Sequence, residues 1–118
     1  SPQAKKLLEQ VLEKSPHREA KGHACFGLMM QLKNAARSNP AKEAELVQVA
    51  KRVISDFADI KYYRGTIGDA AKRELYEMQN LGIGKTAPEI KGEDISGVKF
   101  SLTDYRGKVV VIDFWGNW

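Results

Sequence analysis

Along the first two thirds of the chain, apolar residues recur at spacings of three and four. Ala4, Leu7, Leu8, Val11 and Leu12 fall on one face of a first helix, because 3.6 residues per turn gather such positions into a stripe. Ser15-Pro16 ends that helix and opens the next, with Pro16 in the first turn and Glu19 where a capping-box acid stands. The second helix is predicted over residues 16–36, with a face built from Ala20, Ala24, Gly27, Leu28, Leu32 and Ala35 and with Cys25 and Met29 alongside. After the turn Arg37-Ser38-Asn39-Pro40, a third helix over residues 40–58 carries the cleanest stripe in the chain: Leu46, Val47, Ala50, Val53, Ile54 and Phe57. Such stripes must be buried, so the second and third helices are expected to form an antiparallel hairpin. Residues 58–68 read as a connector in which Tyr62, Tyr63 and Ile67 pack as anchors. A fourth helix follows over residues 69–80, using Ala71, Leu75 and Met78. Leu81-Gly82-Ile83-Gly84 then breaks helical order, which divides the chain into a helical domain, 1–81, and a second region, 82–118.

Beyond Gly84 the period changes. Residues 90–96, rich in glycine and acids, are expected to be irregular. Val98-Lys99-Phe100-Ser101-Leu102 alternates apolar and polar as a half-buried strand does, and Asp104-Tyr105-Arg106-Gly107 makes a turn. Residues 108–114 contain the β-branched run Val109 to Ile112 and are predicted to be a central strand covered on both faces.

Composition narrows the function classes. An apolar fraction of 42% and a charged fraction of 29% in 118 residues describe an ordered protein with room for one domain, or for one domain and part of another. No apolar run reaches membrane-spanning length. The single Cys25 excludes an intrachain disulfide and a four-cysteine zinc site, and His17 and His23 are too few for most metal centres. The +4 charge is scattered: residues 1–80 carry 14 Lys/Arg against 10 Asp/Glu, and residues 81–118 carry 5 against 5. Without a basic block interleaved with aromatics, nucleic-acid binding is not expected. The glycines form no phosphate loop, because the strand–loop–helix context is missing. Cys25 and His23 stand two apart on a helix and do not face each other, so Cys25 reads as a core thiol.

Two resemblances add to this reading. Ala24, Gly27 and Leu28 on one helix, with Ala50 and Phe57 on the next, resemble a degenerate tetratricopeptide hairpin, although the repeat is not seen twice in full; a generic helical bundle is the alternative. The last 37 residues resemble the opening of the redoxin group of the thioredoxin superfamily, both its TlpA/ResA-like thiol–disulfide oxidoreductases and its AhpC/TSA peroxiredoxins. The carrying pieces are Gly84-Lys85-Thr86-Ala87-Pro88-Glu89-Ile90, the stretch from Gly97 through Phe100-Ser101-Leu102 to Asp104-Tyr105-Arg106-Gly107-Lys108, and the run from Val109 to Phe114-Trp115-Gly116-Asn117-Trp118. The fold class implied is mainly α: a four-helix, TPR-like N-terminal region followed by the truncated first strands of a thioredoxin-like α/β domain.

In that family the aromatic segment leads straight into a Cys-x-x-Cys motif at a helix N-terminus, which would begin after Trp118. The resemblance implies that Asp113 matches a buried acid serving proton transfer behind the dithiol, and that Trp115 and Trp118 match aromatics flanking the site. No catalytic residue is then expected within the chain itself, and no organic or metal cofactor. For the whole protein the resemblance implies a disulfide-bearing protein or a peroxide as substrate, a thiol electron donor, and an extracytoplasmic, for example periplasmic, location. The reading from another class is a helical protein–protein interaction module, with Tyr62, Tyr63 or Phe26 lining a concave face. The apolar strand at 109–114 is expected either to pair with a second copy or to tuck against the helices.

Overall fold

The computed structural model describes residues 1–116. Four helices form in chain order: α1 (Pro2–Lys14), α2 (Arg18–Ala36), α3 (Glu43–Asp56) and α4 (Ile67–Asn80). The starts of α1 and α4 are set by side chains that satisfy exposed backbone donors. Ser1 Oγ accepts from the Ala4 amide at 3.3 Å, and Thr66 Oγ1 accepts from the Asp69 amide at 3.1 Å. Three boundaries differ from expectation. The second helix begins at Arg18 rather than Pro16, because Ser15 and His17 stay extended and Ser15 Oγ accepts from the His17 amide at 3.2 Å. Residues Pro40–Lys42 form a separate 3-10 turn, where Asn39 Oδ1 accepts from the Ala41 amide at 3.1 Å. The fourth helix starts two residues early, at Ile67, because Thr66 is its cap.

Successive helices pack on one another, and α2 runs through the middle. Met29, Ile67, Val53 and Cys25 are the largest fully buried side chains. Two glycines allow the close approach. A Cβ on Gly22 would sit 3.2 Å from Phe57 Cβ and 3.3 Å from the Ile67 side chain. On Gly68 it would lie 2.6 Å from the Cα and carbonyl oxygen of Ala58, whose carbonyl accepts the Gly68 amide at 3.2 Å.

The stretch expected to be a plain connector holds a small antiparallel hairpin, β1 (Lys61–Tyr62) with β2 (Gly65–Thr66). It corrects the anchor assignment in part. Ile67 is buried and Tyr62 is half-buried with its ring edge on Phe26, 4.9 Å between centroids, but Tyr63 at the hairpin tip is 92% exposed. Phe26 is itself in the core, so it lines no concave surface.

After Leu81, antiparallel strands β3 (Lys91–Glu93) and β4 (Lys99–Ser101) pair in the register Lys91 to Ser101, Gly92 to Phe100 and Glu93 to Lys99. The irregular stretch expected at 90–96 therefore contains a strand. The alternation at 98–102 is realised as β4, after which Leu102–Tyr105 winds into a 3-10 turn. The expected central strand at 108–114 is not formed: Lys108 is a bend, and residues 109–114 take no regular structure and pair with no neighbour. A ladder needs a partner on at least one side, and this segment joins neither free edge of the β3–β4 pair. Nor does this segment tuck against the helices, for residues 109–114 are exposed and none of them is among the apolar residues packed on the helical core. The molecule is accordingly drawn out, 60 × 31 × 25 Å with a radius of gyration of 18.7 Å, against about 13–14 Å for a compact chain of this length.

Candidate functional site

The approach to the aromatic segment is built by short-range hydrogen bonds. Asp94 Oδ1 accepts from the amides of Ser96 and Val98 at 2.8 and 2.9 Å and closes the β3–β4 turn, where Gly97 takes φ +79°. The Glu89 carboxylate holds the entry segment to the 3-10 turn. It accepts from Thr103 Oγ1 at 2.6 Å, from the Thr103 amide at 3.2 Å and from the Ile90 amide at 3.1 Å. These bonds, Thr103 first, hold the Glu89 carboxyl below the usual carboxylate range. Ser101 and Asp104 complete a capping box on the same turn, and Gly107 at φ +82° turns the chain into Val109. Nothing in the amino-acid pattern singles out Glu89 as the clamp, because its partner Thr103 stands 14 residues away.

Residues 110–114 border an open cleft of about 580 Å³ together with Phe100, Leu102 and Tyr105. Val110 and Ile112 turn partly toward it, 42% and 45% exposed, while Val109 and Val111 are more than nine-tenths exposed. This is the alternation of a strand with one side facing protein. Asp113 borders the cleft and is exposed, and Trp115 is 84% exposed. Trp118 lies outside the described residues. Asp113 thus stands at a cleft edge with no thiol beside it.

The remaining sequence candidates lie elsewhere. Cys25 is fully buried in α2, and burial pushes its thiol pKa up, which suits an inert core residue and not a nucleophile. His17 occupies the N-cap of α2 without a side-chain bond, and His23 is exposed. Among the described residues no group of side chains is placed to hold a metal ion, and no helix is long and apolar enough to cross a membrane. A second concavity, of about 380 Å³, opens between α2, α3 and α4. Its floor includes Met29, Leu46, Leu75 and Met78, and the half-buried ion pair of Lys33 with Glu74 crosses it.

By sequence comparison, part of the chain is distantly related to the thioredoxin superfamily, and at a general level to its thiol–disulfide oxidoreductases. The thiol-disulfide oxidoreductase ResA of Geobacillus thermodenitrificans is 45% identical over 42 residues, 36% of this chain and 24% of that protein. ResA of Bacillus anthracis is 33% identical over 66 residues, 56% and 34% of the two chains. The thioredoxin-like protein YneN of Bacillus subtilis is 38% identical over 47 residues, 38% and 28%. The chain spans about a quarter to a third of the length of these relatives. No family model and no solved structure matches it.

Proposed function

We propose that this chain is the N-terminal part of a thiol–disulfide oxidoreductase, with a helical unit at 1–81 and the start of a redoxin-type domain at 82–118. The observation that carries the reading is the relationship to ResA proteins together with the apolar run that ends in Phe114-Trp115-Gly116-Asn117-Trp118. The chemistry would belong to a dithiol that follows this segment. One thiolate, stabilised at a helix N-terminus, attacks a sulfur of the substrate disulfide and expels the other sulfur as a thiolate. The second cysteine then attacks the mixed disulfide, which frees the reduced substrate and leaves the enzyme oxidised. A thiol donor restores the dithiol. In this reading residues 1–118 by themselves are catalytically silent, and in the whole protein Asp113 is the acid that relays a proton to or from the resolving thiol once the domain closes over it. The helices stack as a TPR-like unit, and the protein works outside the cytoplasm, where disulfide substrates persist.

The test is reduction of insulin disulfides in the presence of dithiothreitol. The full-length gene product accelerates it and residues 1–118 alone do not. In the full-length protein, Asp113→Asn slows the exchange by about a hundredfold at neutral pH, the scale of a lost proton-transfer group. No acceleration by the full-length product, with peroxide consumption in its place, would move the assignment to a peroxiredoxin-type thiol peroxidase.

A further inference from the structure

We infer that the groove between α2, α3 and α4 is a docking site for a short apolar polypeptide segment flanked by lysine or arginine. The inference stands apart from the redox reading, since Gly82 alone of the redoxin-like region borders the groove and neither Asp113 nor Trp115 does. At about 380 Å³ the groove lies in the size range of ligand sites and offers room for a few side chains. Its floor is apolar, from Met29, Leu46 and Ala50 below to Leu75, Met78 and Leu81 along one wall. The two methionines let that floor adapt to aliphatic groups of different shape. No described residue of the chain covers it.

The rim decides the sign of the occupant. Lys33 and Glu74 neutralise each other across the groove. Of the other charged residues at the rim, Glu43, Glu77 and Arg37 form no ion pair among the described residues. Two free carboxylates against one guanidinium give a net negative border, which favours a partner with cations beside its apolar residues and disfavours an acidic one.

The experiment titrates the whole 118-residue chain with the peptide Lys-Leu-Leu-Ala-Leu-Lys and with its glutamate-flanked counterpart, and follows the methionine methyl resonances by NMR. The expected result is that the lysine-flanked peptide shifts the Met29 and Met78 methyls and binds about fivefold more tightly than the acidic peptide, the scale of two exposed charge contacts. The doubly exchanged variant E43K/E77K changes only exposed side chains, so it keeps the fold, and it should reverse the preference. Absence of methyl shifts at about 1 mM peptide, equal affinity for both peptides, or an unchanged preference in E43K/E77K would each overturn the inference.

Discussion

Arg18 and Asp59 form the best-defined charged contact of the helical unit. The guanidinium donates to both Asp59 carboxylate oxygens, at 2.6 and 3.1 Å, and to the Asp56 carbonyl at 2.7 Å. It thereby ties the start of α2 to the end of α3, with its charge 5.9 Å from the centre of the Phe57 ring. The Arg18 hydrogen bonds hold the Asp59 carboxyl below the ordinary aspartate range. Because the folded pKa is the lower one, the contact stabilises the fold above the unfolded value, about 3.9. That contribution is lost as pH falls through the folded pKa. The melting temperature of Asp59→Asn should therefore lie below wild type at neutral pH and converge with it as pH falls through the folded pKa; a gap that stays constant from neutral to acid pH would contradict the pairing. Cys25 makes a second residue-scale prediction. Its thiol should react with Ellman's reagent roughly a hundredfold more slowly in the native protein than after denaturation, since attack needs local opening. Fast native labelling would show that α2 does not bury it.

At the scale of elements, two glycines report on the packing. Gly68→Ala drives a methyl into the Ala58 backbone, 2.6 Å from two of its atoms, which cannot move aside as a side chain would. A cost of about 1–3 kcal/mol is expected, visible as a fall of several degrees in Tm. Gly92 faces Phe100 across the hairpin, and an added Cβ would lie 2.9 and 3.1 Å from the ring. Gly92→Ala should weaken the β3–β4 cross-strand amide contacts in NMR while leaving the melting of the helical core unchanged. Elements with long stripes were legible in the sequence, because the period of α3 is repeated over four turns and can be buried only one way. The pairing of Lys91–Glu93 was not, since a three-residue strand holding a glycine carries no period, and its evidence lies in the partner strand. Residues 108–114 show the opposite error. Their composition is that of a buried strand, but pairing is a property of neighbours and not of the strand itself. Tyr63 was misplaced because it sits at φ +52° in a two-residue turn, a position its aromatic character does not announce.

For the whole molecule, the exposed run of Val109, Val111, Phe114 and Trp115 on an unpaired segment is an association hazard. Light scattering on the 118-residue chain should show self-association that disappears in Val111→Lys, while a strictly monomeric wild type would mean that this segment finds cover elsewhere in the chain. The candidate site was the least legible part. Asp113 and Trp115 could be named only through the resemblance to redoxins, and their chemistry depends on groups the described residues do not contain. The groove was invisible for another reason: α2, α3 and α4 each contribute a few residues to it, and none forms a motif. Whether these residues introduce a dithiol enzyme is tested by counting free thiols on the natural gene product, by intact mass after alkylation, with and without reduction. A product well above 13.2 kDa that gains two alkylated thiols on reduction is expected. A product carrying Cys25 as its one thiol, unchanged by reduction, would contradict the dithiol reading.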